Sequence, residues 1–174
     1  MVSTPSLSEN LEVAARLTKA AADSGAQLAV LPEYFCLMGL KDTDKVNVRE
    51  AAGSGPIQER LAAIAQENNI FLVAGTIPLE AKESNKVLNT SLVFDPQGKQ
   101  IARYDKIHLF GFQTETERYE ESETIAAGSQ PGQFAIQLNG VDWRFGLSIC
   151  YDLRFPELYR SLGQVDCHII PAAF

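Results

Sequence analysis

Gly146-Leu-Ser-Ile-Cys-Tyr-Asp-Leu-Arg-Phe-Pro-Glu-Leu-Tyr-Arg160 is an apolar run that climbs to a cysteine, breaks into charge, and restarts at a proline. Side chains alternate across a strand, so Trp143, Phe145, Leu147 and Ile149 share one face and Arg144, Gly146, Ser148 and Cys150 the other. The first set reads as core. The second is the face of small side chains, where another group can approach closely. Pro156 suits the first helical position, so the stretch reads as strand, turn and helix with Cys150 at the corner. A corner of this kind shares the logic of a nucleophile elbow, although Gly-x-Ser-x-Gly is absent. Free cysteines are also common in cores, so position alone leaves Cys150 balanced between nucleophile and apolar filler.

Working outward, Phe134–Leu138 and Val141–Ile149 flank Asn139-Gly140, a strong signal for a two-residue hairpin turn. Leu88–Phe94 and Gln100–Tyr104 form a second hairpin across Asp95-Pro-Gln-Gly-Lys99. Between the hairpins, Gly111–Pro131 is polar and acidic and reads as a long surface loop. Helices alternate with further strands on the amino-terminal side. Ser6 and Glu9 fit a capping box ahead of Leu11, Ala14, Leu17 and Ala21, with Gly25 as the stop. Ala26–Leu31 follows as a buried strand. Pro56–Asn69 carries Ile57, Leu61 and Ile64 along one helical face, and Ile70–Ala74 is the next strand. Pro156–Leu162 is a helix closed by Gly163, and Cys167–Phe174 is a last apolar strand. Helices, strands and interleaved hairpins make an α/β layered fold with a mixed sheet.

Two polar residues break apolar context abruptly. Glu33 closes Leu28-Ala-Val-Leu-Pro-Glu33 at the carboxyl end of a strand, where open α/β sheets gather ligands. It also reads as the first solvated loop residue. Lys106 lies among apolar residues after a hairpin, and an edge-strand lysine that discourages aggregation reads the same way. A thiol needs activation, and the candidate bases are these acids and the two histidines, His108 and His168. His168 in the last apolar strand reads as a core or pocket histidine. Spacing alone decides none of these.

The chain has 174 residues and a net charge of −7, from 15 basic and 22 acidic residues. One domain over residues 1–174 is expected. The charge argues against a phosphate-backbone binder, so no nucleic-acid partner is expected. No stretch has the ~20 apolar residues of a membrane span, and MVSTPSLSEN lacks the features of a signal peptide. A cytoplasmic protein with no membrane partner is the expectation. Cys36, Cys150 and Cys167 are three and widely spaced, which suggests free thiols and neither a disulfide framework nor a zinc site. Cys36 reads as packing and Cys167 as core. No metal or cofactor is expected. The ending on Ile169-Ile-Pro-Ala-Ala-Phe174, with a start almost inside a helix cap, leads us to expect a fragment.

Leu31-Pro-Glu-Tyr-Phe35, Tyr104-Asp-Lys-Ile-His-Leu-Phe110 and Ile149-Cys-Tyr-Asp-Leu-Arg-Phe-Pro-Glu-Leu-Tyr-Arg160 resemble the three signature segments of the carbon–nitrogen hydrolase (nitrilase) superfamily. They occur in that family's order, and the likeness runs over essentially the whole chain. Tyr151-Asp152 after the cysteine is similar to the Nit branch, which includes omega-amidases and deaminated-glutathione amidases, whereas true nitrilases tend to carry Trp-Glu. The resemblance implies a four-layer α-β-β-α sandwich, here incomplete, without its first strand and its carboxyl-terminal part. It implies a Glu33–Lys106–Cys150 triad, with Glu33 as general base, Cys150 as nucleophile and Lys106 stabilising the oxyanion beside the Tyr151 backbone N–H. The family's second glutamate matches Glu121. Arg154 is the expected contact to a substrate carboxylate, with a salt bridge to Glu157 as the other reading. The implied reaction is hydrolysis of a small carboxylate-bearing amide through a cysteine acyl-enzyme, releasing ammonia, by a protein that at full length is a homodimer or higher homo-oligomer. Nitrile or N-carbamoyl hydrolysis, a Cys–His hydrolase, a non-catalytic protein and an inactive fragment are the rival readings.

Overall fold

The computed structural model describes residues 1–173. Its helices are α1 (Leu7–Asp23), α2 (Asp44–Asn47), α3 (Pro56–Glu67) and α4 (Pro156–Ser161). The first sheet holds β1 (Leu28–Val30), β2 (Phe71–Val73), β3 (Ile77–Glu80), β4 (Val87–Phe94) and β5 (Gln100–Asp105). A short hairpin of β6 (Gly111–Gln113) and β7 (Arg118–Glu120) precedes β8 (Ile125–Ala126), which joins that first sheet. The second sheet is β9 (Gly132–Leu138), β10 (Val141–Leu147) and β11 (Cys167–Ile169).

β4 is the spine of the first sheet. Val93 pairs with Val73 and Ala102, and Thr90 with Ile77 and Asp105, so β2 and β3 share one edge of β4 and β5 takes the other. β1 and β8 add parallel pairs, which makes the sheet mixed as expected. Ile57, Leu61 and Ile64 of α3 and Ala14 of α1 pack on one face, against Leu72, Leu92 and Phe94. Each fully buried aliphatic side chain contributes roughly 1.5–3 kcal/mol. The opposite face offers Val73, Val93 and Tyr104 to Phe134, Phe145, Leu147 and Ile149 of the second sheet and its turn. α4 covers the outside of that second sheet. The layers therefore run α-β-β-α.

The small-residue face of β10 serves this packing. A side chain at Gly146 would meet Leu162 at 2.8 Å, and the Ser148 hydroxyl bonds Tyr159 at 3.0 Å. What approaches that face is α4. Asn139 and Gly140 both have positive φ, 51° and 78°, which the two-residue turn requires.

Several expectations need correction. The α1 face is shifted in part: Ala14 is buried and Leu11 packs against the core as expected, but Asn10 and Thr18 are buried with them and Leu17 is exposed. Asn10 causes this, because its amide bonds the carbonyls of Thr4 (2.7 Å) and Cys36 (2.9 Å) and fixes the helix against the Cys36 loop. Half of the capping box forms. Ser6 Oγ accepts the Glu9 N–H, but the Glu9 carboxylate takes the Thr4 hydroxyl. β1 is an edge strand with Val30 exposed, not a buried one. Gly111–Pro131 is no plain surface loop, since it holds β6–β8 and buries Glu121 and Ile125. β3 is a strand that Pro78 hid. Trp143 is exposed at the hairpin end. The last strand stops at Ile169, Cys167 and His168 lie exposed on its sheet-edge position, and Phe174 lies outside the described residues. Among the described residues no helix is long and apolar enough to cross a membrane.

Gly75 closes β2 against the Glu33 loop: its φ is +47°, and an added Cβ would lie 2.0 Å from the Pro32 carbonyl oxygen. Gly25 has φ +92° but open space around it. Urea unfolding should show Gly25→Ala costing about 1–2 kcal/mol from backbone strain alone, and Gly75→Ala about 3 kcal/mol or more because the clash adds to strain. Equal losses would contradict this close approach.

Candidate active site

Glu33, Lys106 and Cys150 come from three different strand ends, and each end is fixed by its own backbone bonds. Leu31 N–H bonds Val73 O (2.9 Å), and Tyr34 N–H bonds Thr76 Oγ1 (2.9 Å), which sets Glu33 between them. Lys106 follows β5, its N–H on Asn89 O (2.9 Å) and its carbonyl on Gly128 N–H (2.8 Å). Cys150 opens a 3-10 turn, Cys150–Arg154, and donates its N–H to Pro171 O at 2.9 Å. Tyr34 and Cys150 both hold positive φ, 53° and 46°. Non-glycine residues are strained there, and such strain concentrates at functional sites.

These three ends meet in a buried cluster. Lys106 Nζ lies 3.0 Å from Glu33 Oε1 and 2.9 Å from Glu121 Oε2, with all three side chains almost fully buried. Two carboxylates around one ammonium leave an excess negative charge, which is costly in a dry site unless hydrogen bonds spread it. They do. Glu33 also accepts from Asn89 Nδ2 (3.0 Å) and from the Ala173 N–H (3.0 Å). Glu121 accepts from the Tyr34 hydroxyl (2.7 Å) and the Phe110 N–H (2.7 Å). Burial pulls the Lys106 ammonium down, but Glu33 and Glu121 together outweigh it and hold its pKa above the ordinary lysine value. Lys106 is a fixed cation.

The Cys150 thiol sits half-buried beside this cluster. Burial pushes its pKa up, the facing Glu33 carboxylate pushes the same way, and Lys106 pulls it down by less. A thiol in this setting would need a base before it could act as a nucleophile. Glu33 faces it. The last described residues tie the two together, since Pro171 holds the Cys150 N–H and Ala173 holds the Glu33 carboxylate.

The turn itself hangs on Asp152, which is fully buried. Its carboxylate accepts from Ile149 N–H (2.9 Å), His108 N–H (2.9 Å) and the Tyr104 hydroxyl (2.7 Å). His108 Nδ1 lies 2.7 Å from the same carboxylate, and its ring stacks on Phe155 at 3.7 Å. Among the described residues neither histidine hydrogen-bonds the Cys150 thiol, whose neighbours are Glu33, Lys106 and Ala173: His108 Nδ1 is turned to Asp152, and exposed His168 packs edge-on against Tyr159. Tyr151 is half-buried against Phe110 and Phe155. Arg154 is exposed at the end of the turn, and Glu157 pairs with Arg160 at 3.2 Å, so the alternative reading of Arg154, a bridge to Glu157, does not form. Asn89, Asp152, Tyr34 and Ala173 were missed. The signal for Asn89 was the polar run Asn89-Thr90-Ser91 inside an apolar strand, and for Asp152 an acid directly behind one.

The model of a family described as carbon–nitrogen hydrolase matches residues 2–173. The deaminated glutathione amidase of Synechocystis sp. is 38% identical over 179 residues, covering 100% of this chain and 64% of that protein. The omega-amidase NIT2 of Xenopus tropicalis is 37% identical over 173 residues, covering 98% of this chain and 60% of that protein. The chain thus spans a little under two thirds of these relatives. An amidase from Nesterenkonia sp. superposes with a TM-score of 0.81 at 25% identity, covering 100% of this chain and 62% of that one.

Alkylation of Cys150 by iodoacetamide, followed by peptide mass spectrometry, reads the thiol's surroundings. Its rate should rise with pH through an inflection above that of an ordinary thiol. Glu33→Gln should move the inflection down, since a negative neighbour is removed, and Lys106→Met should move it up. An ordinary inflection that ignores Glu33 would contradict the geometry.

Proposed function

The chain belongs to the carbon–nitrogen hydrolase family, and from that premise we propose that it is an amidase acting on a small carboxylate-bearing amide. The observation that carries this reading is the Lys106 ammonium held 3.0 Å from Glu33 in a dry cluster that the Cys150 thiol faces. In the first half-reaction Glu33 takes the thiol proton as Sγ bonds to the amide carbon. The carbonyl oxygen becomes an oxyanion beside Lys106 and the Tyr151 backbone N–H. Glu33 then returns the proton to the leaving nitrogen, the C–N bond breaks, and ammonia departs from a thioester. In the second half-reaction Glu33 takes a proton from water as it attacks, the S–C bond breaks, Glu33 returns the proton to the Cys150 sulfur, and the carboxylic acid departs.

Physical chemistry supports this division of labour. The raised thiol pKa makes a base obligatory, and Glu33 is the carboxylate in reach. Lys106 costs no reorganisation when the oxyanion forms, because Glu121 already holds it. The names of the amidase relatives point to the same reaction class.

Ammonia release from amides tests the reading. Cys150→Ala should abolish turnover, and Glu33→Gln should lower kcat by several orders of magnitude. Lys106→Met should cost about 10²–10³-fold in kcat, the scale of one lost oxyanion donor. Turnover retained by Cys150→Ala would refute the proposal. So would a preference for nitriles over the matching amides.

A further inference from the structure

One lysine near the cluster has no part in the chemistry above. α2 is a single turn whose approach folds around Asp44: its Oδ2 accepts the N–H groups of Leu40 (2.9 Å) and Lys41 (3.0 Å). That turn points the next residue, Lys45, inward. Only 15% of its side chain is exposed, and its ammonium lies 5.5 Å from the centre of the Tyr34 ring. At the other end of that ring the hydroxyl bonds Glu121. One aromatic ring therefore separates Lys45 from the carboxylate that holds Lys106.

Tyr34, Tyr119 and Lys45, together with Leu37, Lys41 and Asp42, border a cavity of about 80 Å³ beside Gly39. Such a volume takes a few water-sized groups. The nearest anion to Lys45 is Asp42, at 4.0 Å and itself 59% exposed, the outer limit of an ion pair. Burial pushes the Lys45 ammonium below the ordinary lysine value, and Asp42, Glu121 and Glu33 only partly restore it. A largely buried cation whose nearest anion is 4.0 Å away is costly, and an incoming anion lowers that cost.

We propose that this cavity is the subsite for the anionic end of the substrate, a single carboxylate, with Lys45 as the cation that reads it and Tyr34 and Tyr119 as its walls. Asp42 on the rim and Glu121 behind Tyr34 disfavour a doubly charged group such as phosphate. The inference rests on the amidase reading and assigns to Lys45 the contact that the sequence pointed to at exposed Arg154.

Two probes of equal length test it: the monoamide of succinic acid, and butyramide, which has a methyl group where the acid has its carboxylate. The readout is the ratio of kcat/KM for the acid to that for butyramide. In Lys45→Met the ratio should fall roughly tenfold or more, the scale of one lost charged contact. Lys45→Arg should recover most of it, and Arg154→Met should leave it unchanged. An unchanged ratio in Lys45→Met, or a collapse in Arg154→Met, overturns the assignment. Calorimetric binding of the same probes to Cys150→Ala, with and without Lys45→Met, decides the point independently. If the wild-type protein hydrolyses neither amide, the proposed function fails, while selective binding of the acid lost on Lys45→Met still upholds the subsite. Equal binding of both probes sinks it.

Discussion

Everything at this site depends on one buried ammonium between two carboxylates. Lys106 has almost no exposed surface, and neither Glu33 nor Glu121 has more than a few per cent. Such groups do not stay buried for stability, since well-packed apolar side chains of similar volume serve that end as well or better. Their arrangement makes sense as preorganisation. Removing one partner leaves an unpaired charge and costs about 3–5 kcal/mol, so the three hold one another in place. The excess negative charge is absorbed by the Asn89 amide, the Tyr34 hydroxyl, and the backbone N–H groups of Phe110 and Ala173. The result is a cation whose position is settled before any substrate arrives.

Cys150 is placed by a second, separate device. Asp152 closes the turn on Ile149 and reaches to Tyr104 and His108, which flank Lys106 in sequence. One buried carboxylate thus locks the corner carrying the thiol to the strand carrying the ammonium. The segment after β11 closes the triangle through Pro171 and Ala173. Strain at Cys150 and Tyr34 persists because these bonds over-determine both positions.

The sequence made the helices and hairpins legible where periodicity and turn chemistry agreed. Asn139-Gly140 marked its hairpin because both positions need positive φ, and Pro56 with Ile57, Leu61 and Ile64 marked α3. The α1 face was misread because a polar residue, Asn10, is drawn inside by two carbonyls far apart in the chain. No hydrophobic pattern encodes that. Pro78 concealed β3, and the acidic composition of Gly111–Pro131 concealed the burial of Glu121. Position alone could not separate Glu33 or Lys106 from ordinary loop and edge residues. Family resemblance could, because three short segments in order say what none says alone. Lys45 was invisible to both, since its inward aim comes from the turn built on Asp44.

Groups that act as one unit lose their effects together, so removing the second adds little after the first. The direct test is a double-mutant cycle on kcat/KM for a small amide, comparing Glu33→Gln, Lys106→Met and both together. The account predicts a double variant no slower than the worse single one to within a few-fold. Losses that multiply in full would show that the carboxylate and the ammonium act separately, and the central claim would fall.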